Sequence, residues 1–242
     1  MKHILKMALI PALTLGLAAT SAMAEKIPLS DISAYFNDLK RAQTEFTQIN
    51  ADGTISTGTL YLHRPGRIRF EYNPPEESLV IAGGSQVAIF DAKSNTPPEQ
   101  FPLKRTPLNI ILERNVNLTN SKMVVGHQEG GNSTTVIAQD PEHPDYGSIE
   151  LVFTADPVEL RQWVINDGGG SQTTVILGLM ERKETLPASL FSIVVESAKR
   201  NKESLIVLKF TACNQLRVIF KRAAFQFFGN SNQPRFLAIG AF

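Results

Sequence analysis

The sequence has very few of the residues on which disulfide and metal chemistry depend: one cysteine and four histidines among 242 residues. Because Cys213 has no second cysteine to pair with, no intramolecular disulfide is possible, and an exported form would be stabilised by its hydrophobic core alone. Thiolate metal sites are excluded for the same reason. His63, His127 and His143 do not stand at metal-ligand spacing on a common element, so we expect neither a metal nor a cofactor.

Motifs of nucleophilic and nucleotide chemistry are also absent. The sequence contains no G-x-S-x-G turn, no phosphate-binding glycine loop and no H-E-x-x-H helix. The glycine triplet Gly168–Gly170 follows Asp167 and precedes a strand pattern, which is typical of a hairpin turn. We therefore predict a protein that is not an enzyme; a small hydrolase that assembles two carboxylates in space is one alternative.

Long apolar runs are scarce after the first 24 residues, and no later segment is apolar enough to span a membrane. The N-terminus has basic Lys2 and Lys6, an apolar stretch over Met7–Ala19 and the small-x-small sequence Ala22-Met23-Ala24. This order predicts a cleavable export signal, with an uncleaved anchor as the alternative. Glu25 stands where a lipoprotein would have its lipid-attachment cysteine, so we expect a mature protein that is free in the periplasm.

Charge and aromatic residues are distributed unevenly. The net charge is +1, but residues 201–242 hold six Lys or Arg, one acidic residue and seven of the 14 phenylalanines. Such a break in composition indicates a separate segment. It is either a functional basic, aromatic tail or a non-native extension, and we favour the extension. The predicted organisation is a signal over residues 1–24, one domain over residues 25–200 and the tail.

A two-residue period dominates the chain after residue 40. The apolar even positions of its clearest stretch are Leu60, Leu62, Ile68, Phe70 and Tyr72. Polar residues occupy most odd positions between them, which predicts a half-buried antiparallel hairpin that turns at Pro65-Gly66. Because paired residues share a face, Leu62 must lie opposite Ile68 and Leu60 opposite Phe70, which requires a loop of odd length.

Similar alternation recurs along the rest of the chain. The further runs are Leu79–Ile81, Val87–Ile89, Val124–Gln128, Thr134–Ala138, Ile149–Phe153, Leu160–Ile165 and Thr173–Leu177. Short turns separate nearly all of them, and there is no βαβ alternation. We count roughly nine to eleven strands and predict a mainly β fold, an up-and-down antiparallel sheet curled towards a barrel.

Two segments have a helical period instead. The first has Ser30 as its predicted N-cap. Its apolar stripe at i, i+3, i+4 and i+7 consists of Ile32, Tyr35, Phe36 and Leu39. The second has Thr106 as its predicted N-cap and Pro107 as its first residue. A helix of about two turns is marginal without packing, so it either plugs the end of the barrel or moves as a lid.

Arg64 is the most unusual charged residue in the hairpin, because it continues the apolar line of Leu60 and Leu62. A lone guanidinium at the rim of an apolar face is costly if it is buried without a partner. It is either solvated in the turn or donates to backbone carbonyls of a facing loop or helix end. Arg67 and Arg69 have the opposite parity, and we expect them to face solvent.

The run Gly58–Tyr72 (G-T-L-Y-L-H-R-P-G-R-I-R-F-E-Y) resembles the signature of the LolA family of periplasmic lipoprotein carriers. Phe46-Thr47-Gln48 before it resembles the family's F-x-Q. Further matching segments are Val87–Asp91, Thr106–Leu108 with Ile111-Leu112, Leu160–Trp163, Thr173–Val175, Leu186-Pro187 and Leu190-Phe191. The resemblance covers roughly residues 25–196 and has no counterpart for residues 201–242.

This resemblance implies an incomplete, half-open antiparallel β-barrel with a helical lid, closed around an apolar cavity that takes lipoprotein acyl chains. It implies that Arg64 is the latch that holds the lid to the barrel in the closed, unloaded state. The lid helix would be Pro107–Leu112. The side chains that we assign to the acyl-chain cavity and lid are Phe46, Leu60, Leu62, Ile68, Phe70, Ile81, Ile89, Leu108, Ile111 and Leu112.

The resemblance also implies two protein partners besides the lipoprotein cargo. An inner-membrane ABC transporter would release the lipoproteins to this protein, and an outer-membrane acceptor would receive them. We expect a monomer without a nucleic-acid partner. The remaining alternative is a lipid-sensing or acceptor protein on the same half-barrel, although an acceptor would usually have a lipid-attachment cysteine and a sensor a further domain.

Overall fold

The computed structural model describes residues 25–91 and 96–203, so the predicted signal over residues 1–24 and nearly all of the predicted tail lie outside the described residues. Helix α1 spans Leu29–Asp38, α2 spans Leu108–Leu112, and residues 193–203 form α3. The strands are β1 (Arg41–Ile49), β2 (Ile55–His63), β3 (Arg67–Tyr72), β4 (Leu79–Gly83), β5 (Gln86–Phe90), β6 (Glu99–Pro102), β7 (Val124–Gly130), β8 (Ser133–Gln139), β9 (Ser148–Thr154), β10 (Glu159–Asn166), β11 (Gln172–Leu177) and β12 (Glu181–Arg182).

All strands belong to one antiparallel sheet, in the order β6-β5-β4-β3-β2-β1-β11-β10-β9-β8-β7, with β12 paired to β1. Within the described residues no ladder joins the two ends of this order, β6 and β7, so the sheet is open. Neighbours in the order are mostly neighbours in sequence, and the exception is the β1–β11 pair. The predicted mainly β, half-open antiparallel fold is confirmed. The strands number one more than the upper prediction, because β12 has only two residues.

The first hairpin has the register that its sequence predicts. Leu60 lies opposite Phe70 and Leu62 opposite Ile68, and the loop has three residues between His63 and Arg67. The same alternation continues around the sheet and places one apolar side chain in two on the concave face. That face, together with α1 and α2, forms the larger of the two hydrophobic clusters.

Both predicted helices exist, but both predicted N-caps are wrong. Helix α1 begins at Leu29, two residues earlier than an N-cap at Ser30 predicts, and the carbonyl of Pro28 accepts from the N–H groups of its first turn. Ser30 therefore lies inside the helix, where its hydroxyl donates to Asp31. Helix α2 has five residues, not two full turns, and Pro107 is its N-cap. The Thr106 hydroxyl donates backwards to the carbonyl of Leu103, and no side chain among the described residues caps the N-terminus of α2.

The convex face of β3, β4 and β5 is covered by the end of the described chain, residues 188–203. A second apolar cluster lies there, formed by Leu79, Ile81, Ala88 and Phe90, with Ile193 packed against it. Phe191 packs edge-on against His63, and the guanidinium of Arg200 lies 5.0 Å from the centre of the Phe90 ring. The convex face of β3, β4 and β5 is therefore packed against this segment, and the apolar side chains of the second cluster are not exposed to solvent.

The prediction that Arg69 faces solvent is wrong because of this covering segment. Arg69 is 7% exposed and pairs with Glu71 at 2.6 Å and with Glu196 at 3.4 Å. Its Nη1 also donates to the carbonyl of Leu190 at 3.0 Å. Arg67 on the same face is half-buried, with its guanidinium beside His63. The alternation correctly placed Arg67 and Arg69 on the convex face, but residues 188–203 cover that face beside β3.

Candidate functional site

The concave face of the sheet is an apolar surface, and the helices close it. The predicted site residues that it brings together in one cluster with α2 are Phe46, Leu60, Leu62, Ile68, Phe70, Leu108, Ile111 and Leu112. They are all buried, and Leu60, Ile68 and Leu112 are each 1% exposed. The aromatic rings of this face meet edge-on, for example Phe46 with Phe70 at 5.5 Å between centres. Apolar side chains therefore pack against one another on the concave face.

Helix α2 lies in the connection that runs from one open edge of the sheet, β6, to the other, β7. Four of its five residues are buried, including Ile110, which sequence analysis did not assign to the apolar face. The connection continues with Val116 and Leu118, which are also buried in the concave cluster. A helix this short has no stability of its own, so its position depends on these contacts. It packs against the concave face.

The turn between β2 and β3 holds the C-terminal end of α2. The Nη2 of Arg64 donates to the carbonyl of Glu113 at 2.5 Å, and the N–H of Gly66 donates to the carbonyl of Leu112 at 2.9 Å. The last carbonyls of a helix have no partner within the helix and carry its partial negative charge. A cation and an N–H group that meet those carbonyls therefore complement both their hydrogen-bonding capacity and their charge.

Arg64 is buried at 5% exposure, and only one of its three guanidinium nitrogens has a hydrogen-bond partner. Its guanidinium lies 5.7 Å from the centre of the Phe36 ring on α1. Burial lowers the pKa of Arg64, and the negative charge of Glu113 opposes that shift. Of the two sequence interpretations, the structure shows the donor to a helix end. The two nitrogens without a partner leave part of the cost of burying this charge uncompensated.

A second attachment holds the chain beyond α2 to helix α1. The side-chain amide of Asn37 donates to the carbonyl of Val116 at 2.8 Å and accepts from its N–H at 2.9 Å. Ser33, one turn earlier on α1, accepts from the N–H of Leu118 at 3.0 Å. Sequence analysis did not identify these residues. The i, i+4 spacing of two polar residues next to an apolar stripe was the available signal.

Two predicted cavity residues lie elsewhere. Ile81 is opposite Arg69 in the β3–β4 ladder, so it faces the convex side and belongs to the second cluster, which corrects its assignment to the cavity. Ile89 lies opposite Val80 on the concave side, but it is 41% exposed near the open β6 edge. Sequence analysis also omitted apolar residues of the far half of the concave face. These are Val136, Ile149, Leu151, Phe153, Trp163, Val175 and Leu177.

No helix within the described residues, 25–91 and 96–203, is both long and apolar enough to cross a membrane. The same residues contain no group of three or more His, Cys, Asp or Glu side chains that could hold a metal ion.

Solved structures that align with this chain come from more than one bacterium. A LolA superfamily protein from Nitrosomonas europaea aligns with 69% of this chain and 98% of its own, at 10% identity and a TM-score of 0.40. The MucA/MucB complex of Pseudomonas aeruginosa contains a chain that aligns with 68% of this chain and 59% of its own, at 11% identity and a TM-score of 0.37.

Sequence comparison gives a more direct relationship. An outer-membrane lipoprotein carrier protein of Pseudomonas aeruginosa is 27% identical over 170 residues, which is 65% of this chain and 80% of the relative. A protein of the same name from Methylobacillus flagellatus is 22% identical over 200 residues, 73% of this chain and 93% of the relative. The family model described as "Outer membrane lipoprotein carrier protein LolA" matches residues 37–194. Because this model covers more than half of the chain, the chain belongs to the LolA family.

Proposed function

We propose that this protein is a periplasmic carrier that binds the acyl chains of lipoproteins released from the inner membrane and delivers them to an outer-membrane acceptor. Family membership supports the carrier role. The observation on which the mechanism rests is a buried apolar face beneath a five-residue helix, whose C-terminal end is held by two hydrogen bonds from the β2–β3 turn. The concave face would receive the acyl chains once α2 moves away, and Arg64 would tune their release.

The energetics of acyl chains explain why a carrier is needed and why it must open. Burying one CH₂ is worth about 0.8 kcal/mol, so exposing one chain of about 15 methylenes costs on the order of 10 kcal/mol. The two hydrogen bonds from Arg64 and Gly66 to the end of α2 together contribute about 2–4.5 kcal/mol. Entry of one acyl chain can therefore displace this latch, whereas the closed state still subtracts from the net affinity and favours release.

The test is the substitution Arg64→Leu in a two-step assay with a purified triacylated lipoprotein. We expect the variant to bind cargo at least as well as the wild type, because the closed state loses its latch, and to pass it on at least ten times more slowly. Arg67→Leu is the matched control, since Arg67 lies on the convex face beside His63 and should leave both steps unchanged. Normal transfer by Arg64→Leu would refute the latch role. Binding without any transfer by the wild type would favour a lipid-sensing protein.

The lid is tested by Leu112→Asp, because Leu112 is buried in the concave cluster. A carboxylate at this position places a charge against the acyl chain, so loading should fall below detection. Leu179→Asp is a matched control at an exposed position, 73% accessible. Unchanged loading by Leu112→Asp in a folded protein would remove α2 from the binding site.

A further inference from the structure

We propose that Asn37 and Ser33 on α1 fix residues 116–118 as a pivot, so that the lid is residues 104–115 and only the Arg64 end of α2 swings free. This inference rests on the proposed lid role of α2 and adds to it a division of the connection into moving and fixed parts. Asn37 and Ser33 are positioning residues in this proposal, since they act on the lid through the backbone.

The hydrogen bonds of the pivot are of a different kind from those of the latch. Asn37 satisfies both backbone groups of Val116 with one planar amide, and Ser33 takes the N–H of Leu118. The Ser33 hydroxyl in turn donates to the carbonyl of Leu29 within α1 at 2.6 Å, which fixes its orientation. The three contacts join residues 79 to 85 positions apart. Their partners are neutral and paired, whereas the latch leaves two nitrogens of Arg64 without a partner.

Burial divides the connection at the same point. Residues 113–115 are all exposed, and burial resumes at Val116 and Leu118 with exposed Asn117 between them. This is an extended stretch that places two apolar side chains in the core and its backbone against α1. The exposed residues 113–115 have no such anchor, so motion of α2 can be taken up there without breaking the core contacts of the pivot.

The other end of the lid is also held. The N–H of Leu103 donates to the carbonyl of Ser85 in the β4–β5 turn at 2.9 Å, and the side chain of Leu103 is buried in the concave cluster. The lid is therefore a loop between two fixed points, Leu103 and Val116. Three residues span at most about 10 Å, so Glu113 remains within that distance of Val116 in any open state. This range limits how far α2 leaves the barrel and keeps it near the cargo.

The pivot is tested without cargo by amide hydrogen exchange resolved at single residues. Arg64→Leu should speed exchange of the Gly66 N–H at least tenfold, because the latch opens more often. The N–H groups of Val116 and Leu118 should exchange within twofold of their wild-type rates. If all three rates rise together, the connection opens as one unit and the pivot does not exist. This measurement does not depend on whether the protein carries lipoproteins.

The rate at which bound cargo is lost should change in opposite directions when a pivot residue and when the latch residue Arg64 is substituted. With a synthetic triacylated lipopeptide as the probe, Asn37→Ala should lose bound probe about tenfold faster than the wild type, whereas Arg64→Leu should hold it at least as long. Ser30→Ala is the control on α1, because Ser30 is exposed and its hydroxyl donates to the neighbouring Asp31. Ser33→Ala removes the contact with the Leu118 N–H, together with the bond to the Leu29 carbonyl within α1, but leaves both Asn37 contacts in place. It should show a smaller loss, and it serves if Asn37→Ala does not fold.

The outcomes separate the two proposals. Failure of the wild type to bind the lipopeptide would refute the carrier function and leave the exchange result standing. Binding by the wild type with unchanged retention in Asn37→Ala and Ser33→Ala would refute the pivot and leave the carrier function intact.

Discussion

The ion pair between Arg69 and Glu196 should be a measurable source of the protein's stability, because it fastens the covering segment to the convex face. The side chains of the two residues are 8% and 11% exposed. Glu196 also pairs with Arg200 at 3.2 Å, and Arg69 also pairs with Glu71. Removing one partner of a buried pair typically costs about 3–5 kcal/mol. Here each partner keeps a second counter-charge and the nitrogen–oxygen distance is 3.4 Å, so we expect about 2 kcal/mol for Glu196→Gln.

The assay is a double-mutant cycle of Arg69→Met, Glu196→Gln and the combined variant, measured by urea unfolding. We expect the two substitutions to be non-additive by about 1–2 kcal/mol, since they remove one shared contact. Glu71→Gln is the control on the same arginine, because the side chain of Glu71 is 40% exposed and an exposed pair contributes about 0–1 kcal/mol. Additivity of Arg69→Met and Glu196→Gln within about 0.5 kcal/mol would refute the reasoning. The two residues would then be buried without stabilising each other.

Two further predictions concern the sheet itself. A Cβ at Gly58 would overlap the carbonyl oxygen of Glu71 on the neighbouring strand, so Gly58→Ala should lower the free energy of unfolding by roughly 1–3 kcal/mol. Gly130→Ala is the control and should change the free energy of unfolding little, because the nearest atom to its Cβ would be the Ser133 hydroxyl at 3.5 Å. Equal effects of the two substitutions would contradict the close approach at Gly58. Burial raises the pKa of Tyr72 to about 12, so the free energy of unfolding should fall as the pH rises from about 10 to 12. Tyr72→Phe should reduce that fall. The same dependence of the free energy of unfolding on pH in the variant would show that Tyr72 is not its source.

The concave half of the molecule could be predicted from the sequence because its signals are local. The register of Leu60 with Phe70 follows from a period of two and a short loop, both of which are read within 15 residues. The direction of Arg64 follows from the same parity. Its partner did not follow, since the carbonyl of Glu113 is 49 positions away and has no side-chain signature. The same holds for the Gly66 N–H, because backbone contacts leave no pattern of residue types.

The convex half was predicted wrongly because its cover is distant in sequence. Arg69 and Ile81 stand opposite each other in neighbouring strands, one charged and one apolar, and both are buried. Parity assigns them correctly to one face. It cannot say what packs on that face, and the partners Leu190 and Glu196 are more than 100 residues away. A strand with an apolar residue on its supposed solvent face was the available indication of a second packed layer.

The β1–β11 pair at the centre of the sheet has a consequence for the order in which the chain acquires its structure. Phe46 of β1 pairs with Leu177 of β11. The first strand of the sheet therefore cannot form hydrogen bonds along this edge until nearly the whole domain has been synthesised. Helix α1 likewise packs on residues that follow it by about 80 positions. Contacts of such long range make folding slow, typically milliseconds to seconds. Local hairpins can form early, but the concave face closes only when the C-terminal half of the sheet has joined the N-terminal half.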